Sequence, residues 1–534
     1  MLKRIRSYLE NRLFYIWLLF FSVLTVFISP EKAIHYAIAS TYIFYYLVYA
    51  INRKLFFWVV GFITITLALY YPVDLRYGSL NSGIVAAFIE TNIDESLSFI
   101  QQLKISDALM PFLFVFSAYI LFRLEKYNKP SADNKTILHS ILFLVLLFSV
   151  LYLPTKVYVH QQENSIEETS WTLSDTPVNF ISFYTNIYQS ITDYYSEKKE
   201  LENLTNAVPP WQVSSVQAKY KNYVLIIGES ARRDWVSTYG FNLPTTPFLD
   251  KTNGYINSGY ISAAPATYHS LLYSLYFKDQ KHKKVNYAYN IITLAKAAQF
   301  KTIWLSNQGS MGKFDTIASR IGASADVHLF TKKGAFNTSY IDDDKLLEML
   351  TEQMSQTATD GNRLFVLHLM GSHAKFCDRV NDKITLDFIN KSLSCYASSI
   401  LKTDNLIEHI VDLLKQQQQS YSLIYFSDHG LSYTDKEDKN ELSLAHGSEF
   451  KQNYEVPFFK LSSDDTQREV VNVQRSAMNF MYGFAQWLGI QTQELNTGYD
   501  FFSDKNDTDI KVFNFEKEVP FSELKEDKLP EYEQ

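Results

Sequence analysis

TDNLIEHIVDLLKQQ (403–417) is followed closely by YSLIYFSDHG (421–430). In the first stretch Leu406, Ile410 and Leu414 recur every fourth residue beside Ile407 and Val411, which predicts a helix with one apolar face. In the second, Tyr421 to Phe426 is a short, mostly apolar run of strand length, followed by Ser427, Asp428, His429 and Gly430. A carboxylate and an imidazole at a strand end can hold a metal or simply make a surface turn.

The same couplet occurs twice more. NIITLAKAAQF (290–300) precedes KTIWLSN (301–307), and DDKLLEMLTEQM (343–354) precedes NRLFVLHLMGSH (362–373). NYVLIIGES (222–230) is a further apolar strand ending in Gly-Glu-Ser. Helices alternating with wholly apolar strands predict a mostly parallel sheet covered on both faces. Ligands of such sheets bind beyond the carboxyl ends of the strands. That is where Glu229, His368, His373, Asp428 and His429 fall.

The first third is different in kind. Leu13 to Ser29 carries no charge, and Ala33–Ile51, Leu55–Val73, Asp107–Phe122 and Thr136–Leu153 are further apolar stretches of membrane-spanning length. Lys3, Arg4, Arg6 and Arg12 precede the first; Arg53-Lys54 separate the second and third; Arg123, Lys126, Lys129 and Lys135 separate the fourth and fifth. Positive short loops mark the cytoplasmic side, so everything after about Lys156 is expected outside it. A long first stretch followed at once by more spans argues against a cleaved signal peptide.

The expected organisation is therefore a membrane domain over 1–155, with helices near 13–29, 33–51, 55–73, 107–122 and 136–153. A linker follows over 156–215, and an outer α/β domain over 216–534. Within the linker, Ile181 to Leu204 interleaves aromatic and polar residues and reads as an interfacial helix, or as a plain solvent-exposed one. The net charge of -7 argues against a nucleic-acid footprint. Two cysteines, Cys377 and Cys395, exclude a Cys-rich metal site. An oxidising compartment makes a disulfide between them the expectation, although spacing alone leaves two free thiols open.

IIGESARRDWVSTYGFNLPTTPFL (226–249) resembles the opening motif of the phosphoethanolamine transferases of the bacterial envelope, in the alkaline phosphatase and sulfatase superfamily. APATYHSLLYSLY (264–276), KTIWLSNQG (301–309), LHLMGSH (367–373), SDHG (427–430) and LAHGS (444–448) follow in family order. The resemblance implies five transmembrane helices in the inner membrane and a periplasmic sulfatase-like domain. It implies transfer of phosphoethanolamine from phosphatidylethanolamine to lipid A, a core sugar or another envelope glycan such as a periplasmic glucan, through a zinc-dependent phosphothreonine. Residue by residue, Glu229, Asp428 and His429 match the metal ligands and Thr267 the nucleophile that shares the metal. His373 and His446 match histidines near the transferred phosphate, and His368 another in the same motif. Thr91 and Glu95, in FIETNIDE, match a loop that reaches the lipid headgroup. One zinc is implied, with room for a second.

The chemistry of these residue types agrees. Zinc takes carboxylate, imidazole and oxygen ligands, a threonine hydroxyl needs activation, and a transferring phosphoryl group needs its charge balanced. The sequence also departs from the family pattern. Ala263 and its neighbours lack the cysteine pair that often flanks the threonine in lipid A enzymes. Leu431 follows SDHG, Ala374-Lys375 follow LHLMGSH, and Ala87 stands four residues before Thr91. None of these removes a metal ligand, and together they count against lipid A as the acceptor.

Plainer explanations compete at each position. Glu229 alone could be an acid at a helix N-terminus. Ser230 does not fit a nucleophile elbow, because Arg232 stands where glycine is needed. His269 and Ser270 are rivals to Thr267, His409 lies in a helix pattern, and His282 belongs to a solvated basic run. Lys313 could reach substrate only on the ground of following SNQG. The alternative functions are a phosphoglycerol transferase or phosphatase of the same superfamily, or a non-catalytic membrane protein that binds glycans or lipids. A sulfatase would need a C/S-x-P-x-R pattern, which APATYHS lacks.

Overall fold

The computed structural model describes residues 2–26, 34–77, 80, 84–85, 89, 105–126, 136–163, 171–205, 208–278, 285–311, 316–334, 340–356, 361–495, 498–515 and 517–530. The chain divides into two compact units, Met1–Tyr195 and Ser196–Gln534.

The first unit is helical: α1 (Leu2–Val26), α2 (Ile34–Ile51), α3 (Arg53–Tyr77), α4 (Leu109–Glu125), α5 (Thr136–Glu163) and the start of α6 (Asn179–Thr205). Three of these, over Ile34–Ile51, Arg53–Leu75 and Thr136–Val159, are long and apolar enough to cross a membrane. The apolar part of α1, Arg12–Val26, is shorter, and α4 has 17 residues. The fourth stretch does not begin its helix at Asp107. Ile105–Ala108 form a 3-10 turn, and Pro111 falls in the first turn of α4, where its missing N–H is tolerated. α5 continues through Pro154 to Glu163, past the expected end at Leu153.

The aromatic residues at the start of α6 are packed against other helices. Phe180 stacks on Phe44 at 4.1 Å, Phe183 meets Tyr70 edge-on at 5.3 Å, and the Tyr184 hydroxyl hydrogen-bonds Thr66 at 2.6 Å.

The second unit is built on an eight-stranded sheet. Its strands are β1 (Asn222–Gly228), β2 (Gly254–Asn257), β3 (Lys301–Gly309), β4 (Val327–Lys332), β5 (Arg363–His368), β6 (Tyr421–Ser427), β7 (Phe458–Ser462) and β8 (Arg468–Val471). They lie in the order β8-β2-β7-β6-β1-β5-β3-β4. Only β7 runs against the rest.

β1 shows why the apolar runs carry no alternation. Tyr223, Leu225 and Ile227 face a core formed with α7 (Thr267–Leu275), α8 (Ile291–Ala297), α9 (Thr316–Ala323) and α13 (Phe480–Leu488). Val224 and Ile226 face a second core, formed with α10 (Asp344–Gln356) and α12 (Lys391–Gln416). The four-residue α11 (Phe376–Arg379) lies between them in sequence. A strand buried on both faces must be apolar at every position.

α12 starts at Lys391, twelve residues before the predicted Thr403. Asn390 caps it by accepting from Leu393 N–H, and Leu393, Ala397 and Ile400 already carry the buried stripe between serines. A disulfide joins Cys377 of α11 to Cys395 of α12.

Candidate metal centre

β6 and β1 are parallel neighbours, with Ser427 level with Gly228. Asp428 and Glu229 therefore leave adjacent strands at the same height. Asp428 N–H donates to Gly228 O at 3.1 Å, extending the ladder by one bond before the chains diverge.

Glu229, Asp428 and His429 are buried, and one ligand atom from each lies within 4.8 Å of the others. His429 Nε2 is 3.2 Å from Glu229 Oε1 and 3.6 Å from Asp428 Oδ2. The imidazole is aimed by its other nitrogen, 2.8 Å from Gly430 O. A carbonyl can only accept, so Nδ1 carries the proton and Nε2 faces the carboxylates, the arrangement expected when a backbone acceptor orients a metal-binding histidine. Gly430 is required there, because a Cβ would lie 2.0 Å from Gln452 O.

Thr267 opens α7. Its Oγ1 donates to Glu229 Oε2 at 3.1 Å and lies 3.4 Å from His429 Nε2. One turn on, Ser270 Oγ donates to Asp428 O at 2.5 Å and ties the helix to the metal loop. Developing negative charge on Thr267 Oγ1 would also lie at the positive end of a helix.

Two carboxylates in one buried pocket need compensation. Burial opposes ionisation of Glu229, but the hydrogen bond and charge of His429, with His373 and Ser230, hold it below the usual carboxylate range. Burial and the Glu229 charge push Asp428 up to about 8. Burial lowers His429, yet Asp428 and Glu229 outweigh it and raise the imidazole to about 9. Among the described residues Asp428 Oδ2 has no hydrogen-bond partner, although it is buried. An orphaned carboxylate oxygen facing a carboxylate, an imidazole and a hydroxyl fits a cation, and the donor set suits zinc.

The remaining histidines are spread around this point. The His446 ring lies 4.7 Å from that of His429, and its Nδ1 is 3.3 Å from Pro265 O, so its Nε2 bears the lone pair. Burial and the His429 charge push it down to about 4. His373 follows the turn after β5, and burial lowers it also. His368 differs. It is sealed inside the sheet end with Nδ1 3.3 Å from Ser306 Oγ, and burial pushes it down to about 4. Thr91 and Glu95 lie outside the described residues.

Ser230 sits at φ +58 with its Oγ donating to Glu229 Oε1 at 2.7 Å and its N–H to Asp428 Oδ1 at 3.1 Å. It braces both carboxylates and is fully buried. Leu431, the departure after SDHG, is a core residue beside Trp235 and Tyr396.

Two acids escaped the sequence analysis. Asp343 reaches the turn before His373. Asp527 forms a buried ion pair with Arg232 at 2.7 Å. Neither has a local sequence signature.

A family model described as Sulfatase matches residues 221–490. The chain is 34% identical to "Phosphoethanolamine transferase OpgE" of Escherichia coli (strain K12), over 87% of this chain and 86% of that one. It is 31% identical to "Putative phosphoethanolamine transferase" of Haemophilus influenzae, over 72% and 75%.

Among solved structures, the lipooligosaccharide phosphoethanolamine transferase A from Neisseria meningitidis, an integral membrane protein, shares the fold. Its TM-score is 0.51 at 14% identity, covering 90% of this chain and 96% of that one. The periplasmic domain of EcEptC from Escherichia coli, solved as a complex with Zn, gives 0.51 at 21% identity over 60% and 98%. This chain belongs to the sulfatase family and, within it, to the phosphoethanolamine transferases.

Proposed function

We propose that this enzyme moves phosphoethanolamine from phosphatidylethanolamine to an envelope glycolipid or glycan through a phosphoester on Thr267. In this reading Glu229, Asp428, His429 and Thr267 hold zinc, residues 216–534 work in the periplasm, and the apolar helices anchor the chain in the inner membrane. The observation that carries the proposal is Thr267 Oγ1 at a helix N-terminus, 3.1 Å from one member of the buried metal-ligand set and 3.4 Å from another.

Zinc in that set would lower the pKa of the threonine hydroxyl and withdraw charge from the phosphoryl oxygens. Glu229 Oε2 accepts a hydrogen bond from the Thr267 hydroxyl, which aims an oxygen lone pair away from the carboxylate. Thr267 Oγ1 attacks the donor phosphorus, the bond from phosphorus to the glycerol oxygen breaks, and the proton given up by the Thr267 hydroxyl ends on the oxygen of the departing diacylglycerol. The acceptor oxygen then attacks the phosphothreonine, its proton goes to a base, and Thr267 is regenerated. In this reading His446 Nε2, unprotonated and beside His429, and His373 take that proton and contact the phosphate. An arriving phosphate would raise the basicity of both imidazoles from their depressed values.

Protein incubated with phosphatidylethanolamine and no acceptor tests this reading. Peptide mass spectrometry should find the phosphoethanolamine mass on the fragment containing Thr267, and Thr267→Ala should release no diacylglycerol while keeping its expression. The mass on the fragment containing Ser230, or full turnover in Thr267→Ala, would sink the assignment.

A further inference from the structure

Ser306, Asn307 and Gln308 close β3 within the KTIWLSNQG stretch, and nothing in the chemistry above uses them directly. Two of them bond directly to one short segment, and the third reaches it through Asp343. Ser306 Oγ faces His368 Nδ1 at 3.3 Å, and Gln308 Nε2 donates to Leu369 O at 2.8 Å. Asn307 Nδ2 donates to Asp343 Oδ1 at 2.7 Å and to Ile341 O at 2.9 Å. Asp343 in turn accepts from the next two backbone amides of that segment, Met370 N–H at 2.9 Å and Gly371 N–H at 2.8 Å.

We propose that Asp343 is a positioning residue for the phosphoryl transfer, clamping the Met370–Gly371 turn so that His373 is held at the transferred phosphate.

Its place in the chain would make Asp343 the cap of α10, whose side chain ordinarily accepts from its own helix. Asp342 serves the helix start instead, accepting from Asp344 N–H at 3.1 Å. Asp343 turns its carboxylate to another segment, accepts two hydrogen bonds there, and is held from behind by a third from Asn307. Two successive amides bound by one carboxylate fix the turn in position and orientation, since they are charge-assisted bonds in a half-buried setting.

The turn is coupled to the metal centre on its other side. Ser372 N–H donates to Glu229 O at 3.0 Å, Leu369 N–H to Ile227 O at 3.0 Å, and His373 N–H closes the turn on Met370 O at 3.0 Å. Gly371, at φ +45, lies so near that a Cβ would meet Glu229 N and O at 3.0 Å. Glu229 has further supports in β1 and Ser230. His373 lies beyond the turn, and its backbone N–H is bonded within it. Loss of Asp343 should therefore be felt at His373 more than at the metal ligands. A displacement of about 1 Å at a reacting group can cost about 100-fold in rate.

This inference rests on the proposed role of His373, so the test separates the two. In the full-length enzyme, Asp343→Ala should raise amide exchange at Met370 and Gly371 at least 10-fold while leaving β6 protected. It should lower kcat roughly 10- to 100-fold with little change in KM for the donor or in zinc content. In a His373→Ala background, Asp343→Ala should cost less than about 2-fold more, because it acts through that histidine. Asn307→Ala, which removes one support of Asp343, should reproduce the phenotype in weaker form. Unchanged exchange at the two amides, or costs in kcat that multiply fully in the double variant, would overturn the clamp. Full activity in His373→Ala alone would overturn the role of His373 instead, and the exchange result would still judge the clamp.

Discussion

Asp428 shows what a single residue does in this site. One oxygen is satisfied by two backbone amides, Ser230 N–H at 3.1 Å and His429 N–H at 2.7 Å. The other is buried with no hydrogen-bond partner among the described residues. The first bonds position the carboxylate, and the second oxygen is left for a cation. Asp428→Ala should therefore lower bound zinc by at least 10-fold, because so small a ligand set tolerates no loss. It should also abolish phosphoethanolamine transfer. Elemental analysis of the purified variant checks it, and zinc at the wild-type level would refute the ligand assignment. At this scale the sequence was informative where the chemistry is local. Asp428 and His429 adjoin a strand that composition alone identifies, and Glu229 follows its neighbour. Asp343 was silent, because its partners are backbone amides 27 and 28 residues away, which no side-chain pattern records.

Among the elements, α12 holds the clearest pH dependence. Asp404 is buried on its inner face and accepts from Phe248 N–H at 2.8 Å and Leu249 N–H at 3.2 Å. Burial pushes the carboxyl up to about 7, against the pull of those two amides. The ordinary value is near 4, so between about pH 4 and pH 7 the folded protein holds a proton that the unfolded chain has lost. Stability then falls as pH rises through that window, by at most about 4 kcal/mol from this group. Asp404→Asn cannot titrate. Its thermal midpoint relative to wild type, in detergent, should improve from pH 5 to pH 8, and a difference that does not move with pH would count against this account. The Asp404 setting was hidden, as its helix face was readable but the loop it caps was not. The start of α12 was missed for a related reason: Ser392, Ser394, Ser398 and Ser399 interrupt an apolar stripe that the structure nevertheless buries. β1, β3, β5 and β6 were legible because strands covered on both faces have few alternatives to an apolar run.

For the molecule as a whole, the two ends of the chain differ in what their sequence discloses. The first third announces itself through hydropathy alone, and three of its helices have the length and composition to span a bilayer. The last forty residues have no such pattern, and the Sulfatase match ends at residue 490. Yet Asp527 lies at 1% exposure and bonds to both loops that carry the candidate metal ligands. Its carboxylate accepts from Arg232, three residues after Glu229, at 2.7 Å, and from Tyr433 N–H, four residues after His429, at 2.8 Å. Lys436 Nζ approaches the other oxygen at 2.7 Å. Arg232 also donates to Leu431 O at 3.1 Å, so cation and anion together staple the loops from β1 and β6. A buried charge left without its partner costs about 3–5 kcal/mol. Asp527→Ala removes the fully buried partner of Arg232, which among the described residues keeps the partly exposed Asp234 as its ion-pair partner and the carbonyls of Leu431 and residue 527 as acceptors. The expected result is a lower thermal midpoint together with faster loss of zinc to a chelator, since the loops that the pair holds together carry the proposed ligands. Arg232→Met combined with Asp527→Leu removes both charges and should recover part of the midpoint. An Asp527→Ala enzyme that melts and releases zinc like wild type would show that the metal loops hold their spacing without the C-terminal segment.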